Sequence, residues 1–202
     1  MEGKRVVLAS GNAGKLREFA ELLAGTGFVL ARQSDFGIVP PPETGTTFLE
    51  NALIKARNAA HRTGLAAIAD DSGIEVDALG GAPGVYSARY AGEDASDAAN
   101  LDKLLGALAG LPDAERTARY RCVIVCVQSA EDPDPMIGDG TWEGRIIDAR
   151  RGSNGFGYDP SFVPMGDTRT VAEMPQDEKN LQSHRGQAMR AFLARFGAWT
   201  RE

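Results

Sequence analysis

The sequence predicts an α/β fold, with an elongated, mixed, twisted sheet, flanking helices and two lobes around a central cleft. Short apolar stretches typical of strands alternate with amphipathic helical stretches in the first half, and strand patterns dominate the second half before a final helix. No internal repeat or low-complexity stretch interrupts this order. The 202 residues, 43% of them hydrophobic, suffice for one domain with a substantial core, which we expect to span residues 1–202.

The overall charge excludes some classes of partner. The chain has 22 basic and 28 acidic residues and a net charge of −6, whereas general binding to nucleic acid or to an anionic membrane requires a basic field. A local pocket can still bind a small anion. The sequence contains no membrane-length apolar stretch, and Lys4 leads directly into a strand pattern rather than a signal peptide. We therefore expect a cytoplasmic protein without nucleic-acid or membrane partners.

Both cysteines lie in one strand pattern, Arg121 to Val127. Four residues of extended chain span about 13 Å, well beyond the limit of about 7 Å between the Cα atoms of a disulfide. Cys122 and Cys126 are therefore predicted to be buried thiols.

A strand, a glycine-containing turn and a helix follow one another near the start of the chain. Arg5 to Ala9 has the pattern of a buried strand, and helical periodicity begins at Leu16. The turn between them consists of Ser10, Gly11, Asn12, Ala13, Gly14 and Lys15. Free backbone N–H groups and the positive end of a helix dipole favour phosphate at such a turn, and Lys15 adds a mobile positive charge. The spacing is not that of a P-loop, and a tight turn with a solvated lysine is the alternative.

Two adjacent carboxylates, Asp70 and Asp71, follow the apolar run 66–69. The run has the length of a buried strand and Ser72-Gly73 has turn chemistry, so we predict that one strand ends at the acidic pair and a half-exposed strand begins at Ile74. Neighbouring side chains of a strand point to opposite faces, so only one of the two carboxylates is expected to face a given site. A carboxylate held there can bind a divalent cation or accept a proton from water. A solvated acidic turn is the alternative.

The stretch from Thr47 to His61 predicts a helix. Thr47 and Glu50 fit a capping box at its start. Asn51 is unusual, because it is a weak helix former placed early on an apolar face. Spacing alone favours a solvated surface position for Lys55.

Glycines alternate with aromatic residues between Gly152 and Pro160. Phe156 and Tyr158 could expose their ring faces beside accessible backbone, an arrangement that suits stacking on a flat heterocycle. Inward packing of the two rings is the alternative.

Ser183 is predicted to cap a C-terminal helix, with His184 and Arg185 in its first turn. Cations in that position oppose the helix dipole. Their placement indicates a nearby anion or polar ligand, although a surface arginine is common.

Motifs in a fixed order extend from the first strand to the C-terminal helix. They are Ser10-Gly-Asn-Ala-Gly-Lys15, Glu43-Thr-Gly-Thr-Thr-Phe-Leu-Glu-Asn-Ala52, Ala69-Asp-Asp-Ser-Gly73, Gly80-Gly-Ala-Pro-Gly-Val-Tyr-Ser-Ala-Arg89, Gly155-Phe-Gly-Tyr-Asp159 and Ser183-His-Arg-Gly186. Each motif is weak alone, but in this order they are specific. With them the chain resembles the inosine triphosphatase family, the purine nucleoside triphosphate pyrophosphatases. The resemblance implies hydrolysis of ITP, dITP and XTP to the monophosphate and pyrophosphate with Mg²⁺, in a homodimer.

The resemblance also implies roles for individual residues. By that match the turn from Ser10 to Lys15 would bind the triphosphate, Asp71 would be the catalytic carboxylate and Ser72 would lie beside the substrate. The base pocket would be formed by Phe156, Gly157, Tyr158, Asp159, Lys179, His184 and Arg185. The metal would be held by Asp71 and Glu43, with Glu50 and Asp70 as further candidates. Family members often carry another acidic residue shortly before Glu-Thr-Gly, where this chain has Val39-Pro-Pro-Pro42.

The implied substrates share a 6-keto group on the purine. A donor such as Lys179, Arg185 or a backbone N–H would pair with that oxygen and would face the 6-amino group of adenine donor against donor, so ATP should be a poor substrate. A related pyrophosphatase acting on pyrimidine nucleotides is the alternative among enzymes. A nucleotide-binding module without turnover is the alternative from another class.

Overall fold

The computed structural model describes residues 4–199, apart from the side chains of residues 4, 13 and 196–199. The strands are β1 (Lys4–Leu8), β2 (Phe28–Arg32), β3 (Ala67–Val76), β4 (Thr117–Val127), β5 (Met136–Ile146) and β6 (Phe162–Pro164). The α-helices are α1 (Ala13–Leu22), α2 (Phe48–Thr63), α3 (Asp97–Ala107), α4 (Gln176–Gln182) and α5 (His184–Trp199).

The strands form one 6-stranded sheet in the order β2-β1-β3-β4-β5-β6. Strand β1 runs parallel to both β2 and β3, whereas β5 and β6 are antiparallel, so the sheet is mixed. The predicted α/β class and the mixed sheet with flanking helices are therefore confirmed. No helix within residues 4–199 is long and apolar enough to cross a membrane.

The chain divides into two compact units, and β3, β4 and β5 each contribute residues to both. The first unit comprises residues 4–71, 122–140 and 187–199 of the described chain. One face of its part of the sheet packs against α1 and α5. The buried cluster there contains Val6, Leu8, Phe19, Leu23, Ile68, Cys122, Ile124, Cys126, Met136, Ala188, Met189 and Phe192. Both cysteines are buried and free, as predicted.

Helix α2 also belongs to the first unit and contacts β1. Its fully buried residues Ala52, Ala56 and Ala59 recur at helical spacing. The capping box is confirmed, because the Thr47 side chain accepts the N–H of Glu50 while Glu50 accepts the N–H of Thr47.

The second unit comprises residues 72–121 and 141–186. Its core is richer in aromatic residues than that of the first unit. The buried cluster contains Ile74, Val76, Leu101, Leu104, Leu108, Ala118, Tyr120, Trp142, Ile146, Tyr158, Phe162, Val171 and Met174.

Strand β3 is continuous where the sequence predicts a turn. The prediction that a strand ends at Asp70 and Asp71 is wrong, because the extended backbone runs on through Ser72-Gly73 to Val76. Strand β4, with 11 residues, hydrogen-bonds beside β3 and stabilises extended backbone that local turn propensity disfavours. The two carboxylates therefore lie in the middle of a nearly fully buried strand.

Candidate active site

Helix α2 holds both carboxylate oxygens of Asp71. The Lys55 ammonium lies 2.8 Å from Oδ1, and the Asn51 amide nitrogen lies 3.3 Å from Oδ2. Residues four apart lie on the same side of a helix, so one face of α2 presents both donors to β3. Asn51 is fully buried and Asp71 is 5% exposed. The orientation of this carboxylate is therefore fixed from two sides.

Lys55 contacts a second carboxylate as well. Its ammonium lies 2.8 Å from Oε1 of Glu43, so Glu43 and Asp71 share one cation. The interpretation of Lys55 as a solvated surface lysine is wrong, because its side chain is only 11% exposed. Spacing along α2 could not reveal this, since both partners come from outside the helix.

Asp70 has different partners. Its Oδ2 lies 3.0 Å from the Lys15 ammonium and 4.0 Å from the sulfur of Cys122. Asp70 is 1% exposed. The two adjacent carboxylates therefore point to opposite faces of β3, as predicted, and each is paired with its own lysine.

Burial and charge act against each other at this cluster. Burial raises the pKa of Asp71, and the positive charges of Lys55 and Lys15 oppose that rise without cancelling it. Burial alone would lower the pKa of Lys55, but Asp71, Asp70 and Glu43 together raise it above its usual value. Lys55 thus stays charged at neutral pH, while Asp71 has a higher proton affinity than an exposed aspartate, a property that suits a general base.

The turn before α1 is built as a helix cap. The Asn12 side chain accepts the N–H groups of Gly14 and Lys15 at 2.8 and 3.0 Å, and Ser10 accepts the N–H of Asn12 at 3.3 Å. We expected the backbone N–H groups of this turn to be free for phosphate. Two of them are instead bound by Asn12, because asparagine is a strong N-cap residue. Ala13 begins the helix, and its side chain is outside the described part of the structure.

The candidate metal ligands differ in what already binds them. Oε2 of Glu50 accepts from the Thr46 N–H at 2.6 Å, the Thr46 hydroxyl at 2.9 Å and the Thr47 N–H at 3.2 Å, so Glu50 is committed to capping α2. Glu43 and Asp71 instead both contact the Lys55 ammonium. The described residues contain no group of three or more His, Cys, Asp or Glu placed to hold a metal. A pair of carboxylates suits Mg²⁺, which commonly takes one or two from the protein and fills its shell with water and phosphate.

A second cluster lies in the second unit around Asp159, which is 3% exposed. Its Oδ1 accepts from the Tyr120 hydroxyl at 3.0 Å, and its Oδ2 accepts from the Lys179 ammonium and the Phe156 N–H, each at 3.0 Å. Burial raises the pKa of Asp159, and Lys179 opposes that rise. Both oxygens of Asp159 are thus used within the protein.

The same carboxylate explains one glycine in the loop. Gly155 has a φ of +75°, and a Cβ atom at this position would collide with the Asp159 carboxylate. Glycine is therefore required by both backbone conformation and space. The loop 155–159 is folded around Asp159.

Phe156 is the partly exposed aromatic residue of this loop. The Lys179 ammonium lies 4.8 Å from its ring centre, and the Arg185 guanidinium carbon lies 5.9 Å from it. The Tyr158 ring instead packs inward, 5% exposed, with its hydroxyl donating to the Ser87 carbonyl at 2.7 Å. Exposed stacking is thus ruled out for Tyr158, whereas Phe156 has a partly exposed ring.

Residues at the start of α5 join this cluster. Ser183 caps the helix by accepting the Gly186 N–H at 3.1 Å, as predicted. Arg185 donates to the Ser72 hydroxyl at 3.1 Å, and the His184 ring stacks on Tyr120 with centres 4.6 Å apart. The N–H of Gly157, the remaining predicted pocket residue, donates to Asp97 at 2.9 Å.

The predicted residues thus fall into two groups. Within the first unit Lys55 joins Glu43 to Asp71, and Lys15 pairs separately with Asp70. Within the second unit the structure brings together Ser72, Phe156, Asp159, Lys179, His184 and Arg185. Sequence reasoning missed the contacts of Lys55 and Tyr120. It marked Asn51 as unusual without giving it a role.

The family model for the Ham1 family matches residues 6–195. The chain belongs to the Ham1 family. A curated member, the dITP/XTP pyrophosphatase of Vibrio parahaemolyticus, is 55% identical over 197 residues, which are 98% of each chain. Another dITP/XTP pyrophosphatase, from Thioalkalivibrio sulfidiphilus, is 57% identical over 191 residues, which are 95% of this chain and 97% of the relative.

Solved Ham1 structures show the same fold. A HAM1 protein from Coxiella burnetii is 47% identical and superposes with a TM-score of 0.89, covering 98% of this chain and 100% of the other. A nucleoside-triphosphatase / dITP/XTP pyrophosphatase from Mycobacterium abscessus is 43% identical with a TM-score of 0.75, covering 93% and 96%. The resemblance predicted from the motifs is therefore confirmed at the level of the family.

Proposed function

We propose that this Ham1 protein is a nucleoside triphosphate pyrophosphatase that hydrolyses ITP, dITP and XTP to the nucleoside monophosphate and pyrophosphate. The observation that carries the proposal is the buried Asp71, held by Lys55 and Asn51 and paired through Lys55 with Glu43. Relatives at 55–57% identity carry the name dITP/XTP pyrophosphatase.

The turn from Ser10 to Lys15 binds the triphosphate in this proposal. Cleavage between the α and β phosphorus atoms develops negative charge, so cations and N–H donors must face the phosphates. Lys15 supplies an ammonium that is 15% exposed and is oriented by Asp70 at 3.0 Å. The start of α1 adds the positive end of a helix dipole.

Mg²⁺ is the metal of this proposal, with Asp71 and Glu43 as its protein ligands. When bound, it would neutralise phosphate charge and polarise the bond that breaks. The two carboxylates fit it because they are hard oxygen donors that already converge on a cation, the Lys55 ammonium. Asp71 also accepts the proton of the attacking water, since Lys55 and Asn51 fix the orientation of its carboxylate.

Recognition of the base is the role of the second cluster. The Phe156 ring stacks on the purine, and Lys179, Arg185 or a backbone N–H donates to the 6-keto oxygen. Asp159 and Ser72 orient these cations, at 3.0 Å from Lys179 and 3.1 Å from Arg185. Adenine presents a 6-amino donor instead, which would leave buried donors unpaired.

We propose a homodimer, with the loop from Gly80 to Tyr90 as a candidate contact, and cytoplasmic residence without nucleic-acid or membrane partners. A net charge of −6 supports the exclusion of nucleic acid. Sedimentation at micromolar concentration checks the dimer, and a purely monomeric protein would contradict it.

A nucleotide panel tests the activity. The protein is incubated with Mg²⁺ and, separately, with ITP, dITP, XTP, GTP, ATP, dTTP and dUTP, and both pyrophosphate and orthophosphate are measured. We expect pyrophosphate as the first product and turnover of ITP, dITP and XTP at least about a hundredfold above ATP, the range that unpaired polar groups give. Orthophosphate as the first product, or a preference for the pyrimidines, would overturn the proposal.

A further inference from the structure

Asn51 makes two hydrogen bonds that join separate parts of the first unit. Its Nδ2 donates to Oδ2 of Asp71 at 3.3 Å, and its Oδ1 accepts the backbone N–H of Gly45 at 2.8 Å. Gly45 lies two residues after Glu43, and Asp71 lies on β3. One side chain therefore ties the Glu43 segment to the Asp71 carboxylate.

The surroundings allow Asn51 little freedom. Its side chain is fully buried on the face of α2 that also carries Ala52 and Ala56. A Cβ atom on Gly45 would come within 2.7 Å of the Asn51 Oδ1 atom and within 2.6 Å of the Glu50 Cβ atom. The chain thus approaches the amide as closely as a residue without a side chain permits.

The chemistry of the amide matches this position. An amide offers a donor and an acceptor on one short side chain, whereas an ionised aspartate offers only acceptors and an alanine neither. Asn is also a weak helix former, so its place inside α2 has a cost that the two bonds offset. A purely structural explanation accounts for burial but not for a donor directed at a carboxylate.

We infer that Asn51 is a positioning residue that sets the orientation of Asp71 and its distance from Glu43. The inference rests on the proposed function, because it assigns Asn51 to the site at which Asp71 and Glu43 act. Asn51 touches neither the substrate nor the reacting atoms in this role. It keeps the second oxygen of Asp71 fixed while Lys55 holds the first.

Two variants separate the two bonds, and a third is the control. Asn51→Ala removes both, and Asn51→Asp keeps the acceptor for Gly45 but loses the donor to Asp71. Asn58→Ala is the matched control, since Asn58 lies two turns later on α2 and its amide nitrogen is buried without a partner among the described residues. Thermal unfolding of each variant shows whether it folds.

Kinetics with ITP give the first readout. For Asn51→Ala we expect kcat to fall about 10- to 100-fold, the usual effect of removing a group that orients a metal ligand, with KM changed less than about threefold. Asn51→Asp should also lose kcat, and Asn58→Ala should match the wild type. A kcat within threefold for Asn51→Ala, or an equal loss in Asn58→Ala, would overturn the inference.

Two further readouts do not depend on turnover. Titration with Mn²⁺ alone, followed by electron paramagnetic resonance, should show about 10-fold or greater weakening in Asn51→Ala. Exchange of the Gly45 amide hydrogen, measured by NMR, should accelerate in Asn51→Ala and stay slow in Asn51→Asp. Unchanged Mn²⁺ affinity together with unchanged Gly45 exchange would contradict a positioning role.

These readouts keep the inference separate from the proposed function. If the wild type releases no pyrophosphate from any purine triphosphate, the proposed function fails, and the Mn²⁺ and exchange results still decide the role of Asn51. If Asn51→Ala does not fold, the near-isosteric Asn51→Asp decides. In that variant, wild-type kcat and Mn²⁺ affinity would overturn the role, and their loss with slow Gly45 exchange would support it.

Discussion

The ammonium nitrogen of Lys55 lies 2.8 Å from Oδ1 of Asp71 in a part of the protein that water barely reaches. The side chains of the two residues are 11% and 7% exposed. A buried ion pair need not stabilise a fold overall, but each charge offsets the free-energy cost of burying the other. The pair therefore keeps a charged carboxylate inside the first unit, where an unpaired one would be expelled or protonated.

Removing the charge of Lys55 should damage both stability and activity. Lys55→Met leaves Asp71 without its nearest cation, and we expect the free energy of unfolding to fall by about 3 kcal/mol and kcat for ITP by at least about tenfold. Urea unfolding and steady-state kinetics measure the two effects. Arg62→Met, an exposed cation on the same helix, is the control and should change neither. Wild-type stability in Lys55→Met would mean that the ion pair is not formed in solution.

Loss of the Phe156 ring should affect binding more than chemistry. Base–aromatic stacking contributes about 1–3 kcal/mol, so Phe156→Ala should raise KM for ITP about 5- to 150-fold while kcat falls much less. The ring is only partly buried, and the fold should be retained. Phe36→Ala removes a ring that is 38% exposed in the first unit, and it should leave KM unchanged. An unaltered KM in Phe156→Ala would remove this ring from the base pocket.

The lowered pKa of Asp77 predicts that stability depends on pH in a way that does not involve the candidate active site. Hydrogen bonds from the Thr117 hydroxyl, and then from Arg119, lower the pKa of Asp77 below its usual value. A lowered pKa favours the ionised form in the folded state. Its contribution is therefore fully present above the unfolded pKa of about 4 and is lost as the pH falls through the folded value.

Asp77→Asn should accordingly destabilise the protein at pH 7 and cease to do so in acid. Asp77 is 44% exposed, so solvent screening limits the effect to less than about 1 kcal/mol. Urea unfolding at a series of pH values between 7 and 3 measures it, with Asp113→Asn, another exposed carboxylate of the same unit, as the control. A deficit that stays constant or grows towards acid would show that the pKa is not lowered.

Local patterns predicted much of the fold, because hydrophobic periodicity and caps depend on neighbouring residues. Helix α2 begins after Thr47 and α5 after Ser183, as their capping chemistry predicts. The predicted strand near Cys122 is β4. The turn predicted at Ser72-Gly73 failed because pairing between strands overrides local preference, and no residue near β3 signals that pairing.

From the sequence, only those site residues that belong to the motifs of the family resemblance could be predicted. Asp71, Glu43 and Lys15 come from segments far apart in the chain, and the resemblance assigned all three to one site. In the structure Lys55 joins Glu43 to Asp71, and Lys15 pairs with Asp70. Lys55 and Tyr120 could not be found in this way, since each acts through a carboxylate outside its own element. Asn51 left one signal in the sequence, a helix-disfavouring amide on an apolar face.

The turnover of Asp71→Asn shows whether this carboxylate is needed for hydrolysis. The substitution keeps the shape of the side chain and removes the charge that binds metal and accepts the proton. We expect kcat for ITP to fall at least about a hundredfold in a protein that still folds, while Asp139→Asn, an exposed carboxylate of the same unit, keeps the wild-type rate. A folded Asp71→Asn protein that releases pyrophosphate from ITP at close to the wild-type rate would contradict the account.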